Sequence, residues 1–367
     1  MAAARLRRPL ALVCLAAAAA AEPAFAASPW VAALAEKIAA IDRETPGELG
    51  VTVKSLATGE SVSHGGDRWW YLGSTAKVAI AIAVLQDVDA GRIGLADRVA
   101  LTEADRTEAS RIVWQPIGTR HTVEQLLTKM LWDSDNTAAN MLVRTVGLER
   151  LNASARRAMG EGFDGFTDFA TIRRDVYAIL HPDAARLTND DIVRIAAAPP
   201  GPARVQALRR ALGKSEAELA VRSFDEAYDR YYETRRNSAT LDAYARLLEA
   251  LVRGELLSPK STAHLFADMK LGNFTNHRIQ AGLPRSVPFI HKTGTQHRRA
   301  CHVGVLHPEN GGKDAVVVAA CTANLDEHRQ AAPILERVCR ALAEPVVARP
   351  TASAEPARRR NRARASP

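Results

Sequence analysis

Among its 367 residues the sequence has only four cysteines and nine lysines. It shows no internal repeat, and no run beyond the N-terminal segment could cross a bilayer. Each scarcity removes a class of function. No cysteine pair has zinc spacing and the histidines never form H-x-x-x-H, so neither a metal nor a cofactor is expected. His291, His297, His302 and His307 read as surface or core residues of the late strands. Gly213-Lys214-Ser215 is like the end of a phosphate loop, but Leu208 stands where that loop needs a glycine. The basic charge is displaced to the two ends. Of the net +8, residues 1–26 carry +2 and residues 347–367 carry +5. The remaining +1 on 27–346 gives no electrostatic reason to bind nucleic acid.

The N-terminus has the pattern of an export signal. Arg5, Arg7 and Arg8 lead into an apolar run from Leu10 to about Ala21, and Ala24-Phe25-Ala26 is a small-residue cleavage site. Residues 1–26 are therefore predicted to be a signal peptide, and the mature chain to be periplasmic or secreted. Cys14 leaves with that signal. Cys301, Cys321 and Cys339 remain, in a compartment that permits disulfides. Folding Ala300–Leu306 onto Ala315–Ala323 about the Pro308–Gly312 turn sets Cys301 opposite Cys321. Two readings stay open, a cross-strand bridge or three buried thiols. Residues 347–367 are rich in Pro, Ala and Arg without apolar periodicity, and read as a disordered basic tail.

Between the ends, Trp30–Ile41 has helical spacing and Gly50–Leu56 alternates before the turn Ala57-Thr58-Gly59-Glu60. A helix-rich stretch follows, with helices predicted at Ser74–Val88, His121–Leu131, Thr137–Val146, Asp191–Ala198, Ala203–Leu212 and Thr240–Val252. Strand patterns return at Val287–His291, Ala300–Leu306 and Ala315–Ala323, and Glu327–Leu342 closes as an amphipathic helix. Strands at both ends with helices between imply an α+β fold, an antiparallel sheet flanked by helices with an inserted all-helical part. The expected division is a sheet subdomain from 27–68 and 241–346, and a helical subdomain over 69–240 with an extended insertion near 181–232.

Three short motifs carry chemistry. Ser74-Thr75-Ala76-Lys77 opens a helix that is apolar almost all round. The bland reading of Ser74 is a helix cap. The chemical reading puts Lys77 one turn on, where burial and the helix dipole depress its pKa and let it take the serine proton. Ser134-Asp135-Asn136 lies in a gap between two helices. It is either an N-cap cluster or a proton-shuttling Ser134 with Asn136 holding a substrate amide. Lys292-Thr293-Gly294-Thr295 is either a charge-protected edge strand or a carboxylate site. In the second reading Lys292 and Thr293 hold the carboxylate, Gly294 lets the substrate backbone come close, and Thr295 supplies an oxyanion N–H.

The S-x-x-K, S-D-N and K-T-G set, in this order, is the signature of class A β-lactamases and penicillin-binding proteins. Over roughly Trp30 to Val346 the chain resembles a class A β-lactamase-type serine hydrolase. The Ser-Asp-Asn-Thr-Ala-Ala-Asn run ending at Asn140 and Arg253–Ser258 add to the resemblance. It implies catalytic Ser74, Lys77 and Ser134, with Asn136, Lys292, Thr293, Gly294 and Thr295 binding substrate. The backbone N–H groups of Ser74 and Thr295 would form the oxyanion hole. The implied partner is a small molecule, a β-lactam or a peptidoglycan-like peptide, and the chain is expected to act as a monomer. One part of the family pattern is missing: the Glu-x-x-Leu-Asn loop whose glutamate activates the deacylating water. Glu149-Arg150-Leu151-Asn152 is one residue short, and only Asp168 is acidic near the expected place. Asp225 or Glu233 would have to return to the site. A D,D-peptidase, or another amide or ester hydrolase, is the alternative function; a non-catalytic binding module on the same fold would contradict the intact motifs.

Overall fold

The computed structural model describes residues 28–270 and 277–342. The signal and tail predicted from the sequence lie outside the described residues. The chain begins with α1 (Pro29–Arg43), whose Trp30, Leu34, Ile38 and Ile41 are buried. The hairpin of β1 (Glu48–Ser55) and β2 (Ser61–His64) follows. β3 (Trp69–Tyr71) leads through a 3-10 turn, Gly73–Thr75, into α2 (Ala76–Asp89). The predicted start of that helix at Ser74 is thus a tighter turn first. β4 (Arg98–Ala100) and β5 (Arg120–Thr122) form a small ribbon. The next four helices are α3 (Val123–Trp132), α4 (Asn136–Val146), α5 (Leu148–Met159) and α6 (Phe169–Leu180). The stretch near 181–232 holds α7 (Asn189–Ala196), α8 (Pro202–Leu212) and α9 (Phe224–Glu233). β6 (Ser238–Thr240), α10 (Leu241–Val252) and α11 (Pro259–Asp268) precede the late strands. These are β7 (Phe289–Gln296), β8 (Arg299–Leu306) and β9 (Val316–Ala323), and α12 (Ala331–Leu342) ends the described chain.

Five strands form one antiparallel sheet in the order β2-β1-β9-β8-β7. The sheet joins the two ends of the chain, as the α+β reading expects. β8 and β9 are buried on both faces, and alternate residues serve two cores. Val318 and Ala320 pack with Leu49, Val51, α1 and α12. Val317, Ala319, Val303 and Val305 face the larger core built on α2 and α10. α2 is at its centre: every residue from Ala76 to Leu85 is under 5% exposed, which is why the sequence is apolar on all sides of that helix.

Cross-strand pairing sets Gly50, Cys321, Cys301 and Gly294 in one row across the sheet. Cys301 and Cys321 are directly paired and form a disulfide, so the open question from the sequence resolves to the bridge. The row is a trough of small residues, and the Trp70–Ser74 segment lies in it. A Cβ on Gly50 would meet the Trp70 ring at 2.3 Å, and a Cβ on Gly294 would meet the Leu72 carbonyl oxygen at 2.1 Å. The fold therefore seats the turn bearing Ser74 directly against β7.

Candidate active site

The three motifs converge on one cleft of about 660 Å³. Ser74 comes from the 3-10 turn, Lys77 from the first turn of α2, Ser134 and Asn136 from the α3–α4 junction, and Lys292 to Thr295 from edge strand β7. Ser74, Ser134, Asn136, Thr293 and Thr295 line the cleft. Lys77 and Lys292 lie beneath them with no exposed surface.

The Lys77 Nζ sits 3.3 Å from the Oγ of both Ser74 and Ser134. It also donates to the Ser134 carbonyl at 2.5 Å and to Asn136 Oδ1 at 2.6 Å. Burial and then the charge of Lys292 hold Lys77 well below the usual lysine pKa, against the pull of Asp135 and Glu108. A neutral amine has two protons, and the two carbonyl acceptors take both. Its lone pair is left to the hydroxyls, the arrangement a general base for Ser74 needs. Lys292 donates to Ser134 Oγ at 3.0 Å, so one hydroxyl bridges the two lysines. Burial and the nearby Arg278 bring Lys292 down to about 7.

Ser134 reaches both lysines because its backbone is left-handed, at φ 58°. That conformation costs a non-glycine residue about 1–2 kcal/mol and is retained at a site that uses it. The Ser-Asp-Asn tripeptide divides its labour. Asp135 is the N-cap of α4, accepting from Ala138 N–H at 2.9 Å and also from Arg111 N–H at 2.7 Å. Asn136 faces the site, with its Nδ2 donating to the Glu108 carbonyl at 3.0 Å. The cap falls to Asp135, while Ser134 and Asn136 line the cleft.

Gly294 departs from expectation. The space its missing side chain leaves is filled by the Leu72 carbonyl, not by the cleft, and Gly294 is absent from the cleft lining. Its need is structural, to bring the Ser74 and Thr295 backbones together. Arg278, which sequence reasoning missed, supports the same strand. Its buried guanidinium donates to the Gly294 and Cys301 carbonyls, each at 2.8 Å, and to Thr295 Oγ1 at 2.7 Å. Burial lowers its pKa to about 10. It too has a left-handed backbone, at φ 53°. A buried arginine without a periodic pattern leaves no signal in a single sequence.

The acidic candidates do not reach Ser74. Asp168 is the N-cap of α6, accepting from Thr171. Asp225 pairs with His297 at 2.7 Å, and Glu233 is exposed at the end of α9. The side chain over Lys77 is Phe169, whose ring centre lies 4.6 Å from the Nζ. Asn140 fixes it there by accepting its N–H at 2.8 Å. Of the carboxylates that line the cleft, Glu108, Asp133, Asp135 and Glu327, the one held by an arginine of α6 is Glu108, a residue not singled out from the sequence. Its Oε1 accepts from Arg173 Nε at 2.6 Å. Burial works to raise the Glu108 carboxyl, but the Arg173 charge and hydrogen bond outweigh it and hold it below the usual range. Among the described residues no group of His, Cys, Asp and Glu could hold a metal ion.

Known proteins resemble this chain in sequence and in fold. The family model described as Beta-lactamase enzyme family matches residues 33–346. A β-lactamase of Rhodobacter capsulatus is 24% identical over 281 residues, 77% of this chain and 78% of its own. A β-lactamase of Mycobacterium tuberculosis is 27% identical over 300 residues, 81% of this chain and 80% of its own. The solved structure of PBP-A superposes with a TM-score of 0.62 at 20% identity, covering 84% of this chain and 94% of that one. That likeness shows the fold. The family match spans all three motifs and the whole sheet, and the chain belongs to the β-lactamase enzyme family, as a hydrolase with the serine β-lactamase-like fold.

Proposed function

We propose that the chain is an exported, monomeric serine hydrolase that opens β-lactam amides through an acyl-enzyme on Ser74. The observation that carries this reading is the hydroxyl–amine chain Ser74–Lys77–Ser134–Lys292, with neighbours at 3.0–3.3 Å. Lys77 takes the Ser74 proton as Oγ attacks the carbonyl carbon. The N–H groups of Ser74 and Thr295 stabilise the oxyanion. Ser134 passes a proton to the departing nitrogen and is reprotonated through the lysines. Lys292, Thr293 and Thr295 hold the substrate carboxylate, with the Arg278 charge behind them. Asn136 holds the amide of the acyl side.

A second reading keeps this acylation and makes release slow, as suits a D,D-peptidase or related amide hydrolase that penicillin traps. Phe169 favours it, because an aromatic ring covers the face of Lys77 where a carboxylate would activate water. Timed mass spectrometry with benzylpenicillin, run beside nitrocefin hydrolysis, separates the two. A one-penicillin mass on the Ser74 peptide, absent in Ser74→Ala, is expected. Rapid nitrocefin turnover selects the β-lactamase. A lasting adduct together with release of D-alanine from a D-Ala-D-Ala peptide selects the peptidase. Neither adduct nor turnover refutes both.

A further inference from the structure

The cleft continues past Asn136 into a wall made by α6, α8 and α9. Arg173 of α6 is satisfied there, bonded to Glu108 and to the Tyr228 hydroxyl. Arg204 of α8 is held by backbone carbonyls instead. Its Nε and one Nη donate to the Ala196 and Ala198 carbonyls at 2.8–3.0 Å, which fixes the guanidinium plane. Among the described residues no carboxylate pairs with it. The cluster therefore sets two guanidiniums against one carboxylate, Glu108. Burial, and after it the Arg173 charge, lower the Arg204 pKa against the pull of Tyr177 and Glu108. One polar group is unmet nearby. Tyr177, whose ring the Arg173 guanidinium faces at 6.0 Å, is fully buried and its hydroxyl has no hydrogen-bond partner. Packing a second guanidinium into the wall costs stability, and within the fold its backbone hydrogen bonds and the shared Glu108 charge offset it without a carboxylate of its own.

The wall is rigid. Asp225 pairs with His297 at 2.7 Å, Tyr232 donates to the His297 carbonyl at 2.7 Å, and the Tyr228 ring stacks on the His297 ring at 4.9 Å. α9 is thereby pinned to the turn after β7. Phe224 and Tyr228 give the wall an apolar surface facing the cleft.

We propose that this end of the cleft is a subsite for an anionic group on the acyl side of the substrate, with Arg204 as its counter-charge and Phe224 and Tyr228 as its apolar wall. The chemical class is an acyl group ending in a carboxylate, such as an acidic side chain or a diacid amide. Which end counts as the acyl side rests on the serine-acylation reading above, since Asn136 and Glu108 adjoin this wall while Arg278 lies behind the carboxylate site.

Ser74→Ala, which cannot be acylated, is titrated with cephems whose 7-acylamino chains are succinyl, glutaryl and adipyl, and with their methyl esters. At least one free acid is expected to bind about tenfold or more tightly than its ester, as a charge-assisted hydrogen bond allows. That gap shrinks with added salt. It closes in Ser74→Ala/Arg204→Gln and partly returns with Arg204→Lys. Melting temperatures check folding, and if the Gln variant unfolds, the Lys variant and the salt series decide. Equal binding of acid and ester across the series, or a gap unchanged by Arg204→Gln, overturns the subsite. Ring opening of the same cephems by the wild-type protein tests the Ser74 reading separately: its absence refutes acylation while the binding comparison still decides the subsite.

Discussion

Lys292 is buried without exposed surface, and its pKa near 7 makes it the residue through which pH reaches the site. In the proposed mechanism it binds a substrate carboxylate only when charged, whereas Lys77 accepts the Ser74 proton only when neutral. Lys77 is held well below the usual lysine range and only gains as a base when pH rises, so the alkaline limit falls to Lys292. The acylation efficiency with benzylpenicillin is expected to fall as pH rises through about 7. Lys292→Arg, which keeps its charge, should flatten that fall; a wild-type profile that stays level to pH 9 would count against the assignment. Phe169 gives a second test. Phe169→Glu places a carboxylate beside Lys77 and should shorten the life of the penicillin adduct by about tenfold or more, the scale of one general base. It should also slow acylation, because the new negative charge raises the Lys77 pKa. A timed mass spectrum reads both effects.

At the scale of elements, the trough that receives the Ser74 turn is the least tolerant part of the molecule. Gly294→Ala would drive a methyl group to within 2.1 Å of the Leu72 carbonyl, so β7 and the turn must separate. A loss of about 1–3 kcal/mol in a denaturant titration is expected, with a larger proportional loss of acylation. Normal stability with normal adduct formation would refute the interlock. The same scale explains what could be read beforehand. α2, β8 and β9 were legible because burial on all sides leaves unbroken apolar runs. The Cys301–Cys321 pairing followed from folding one hairpin, which needs only local register. Lys77 lies one turn from Ser74, so helix geometry alone places it. Glu108, Arg173 and Phe169 were not legible. They meet across a loop and a helix brought together by tertiary packing, with no fixed spacing between them. Asp168 caps α6 and bonds Thr171 three residues on, a cap pattern visible in the sequence itself.

At the scale of the whole molecule, buried bases rather than net charge govern acid stability. His302 accepts the Ile279 N–H on Nδ1 at 3.1 Å, so its Nε2 donates to His291 Nδ1 at 3.0 Å and both rings are neutral. Burial, then Lys292 and His277, take His291 down to about 4; burial and then His291 lower His302 further below its usual value. Between pH 6.5 and 4 the unfolded chain binds protons that the folded one refuses. Stability therefore falls with acid, by about 2 kcal/mol from His291 alone between pH 7 and 5. Lys292 acts in the same sense between about 7 and 10.5, so stability should keep rising on the alkaline side. Denaturant midpoints that do not move between pH 7 and 5 would refute the neutral pair. The disposition of the sheet has one more consequence. Among the described residues β7 pairs with a strand, β8, on one side only, and beyond His291, whose N–H donates to the Met269 carbonyl, its outer edge is also a wall of the cleft. An extended ligand lying along it would continue the sheet, with its side chains alternating toward the enzyme and toward water. A peptide bound in that way would be read at every second position and ignored at those between, so the preference would have a period of two.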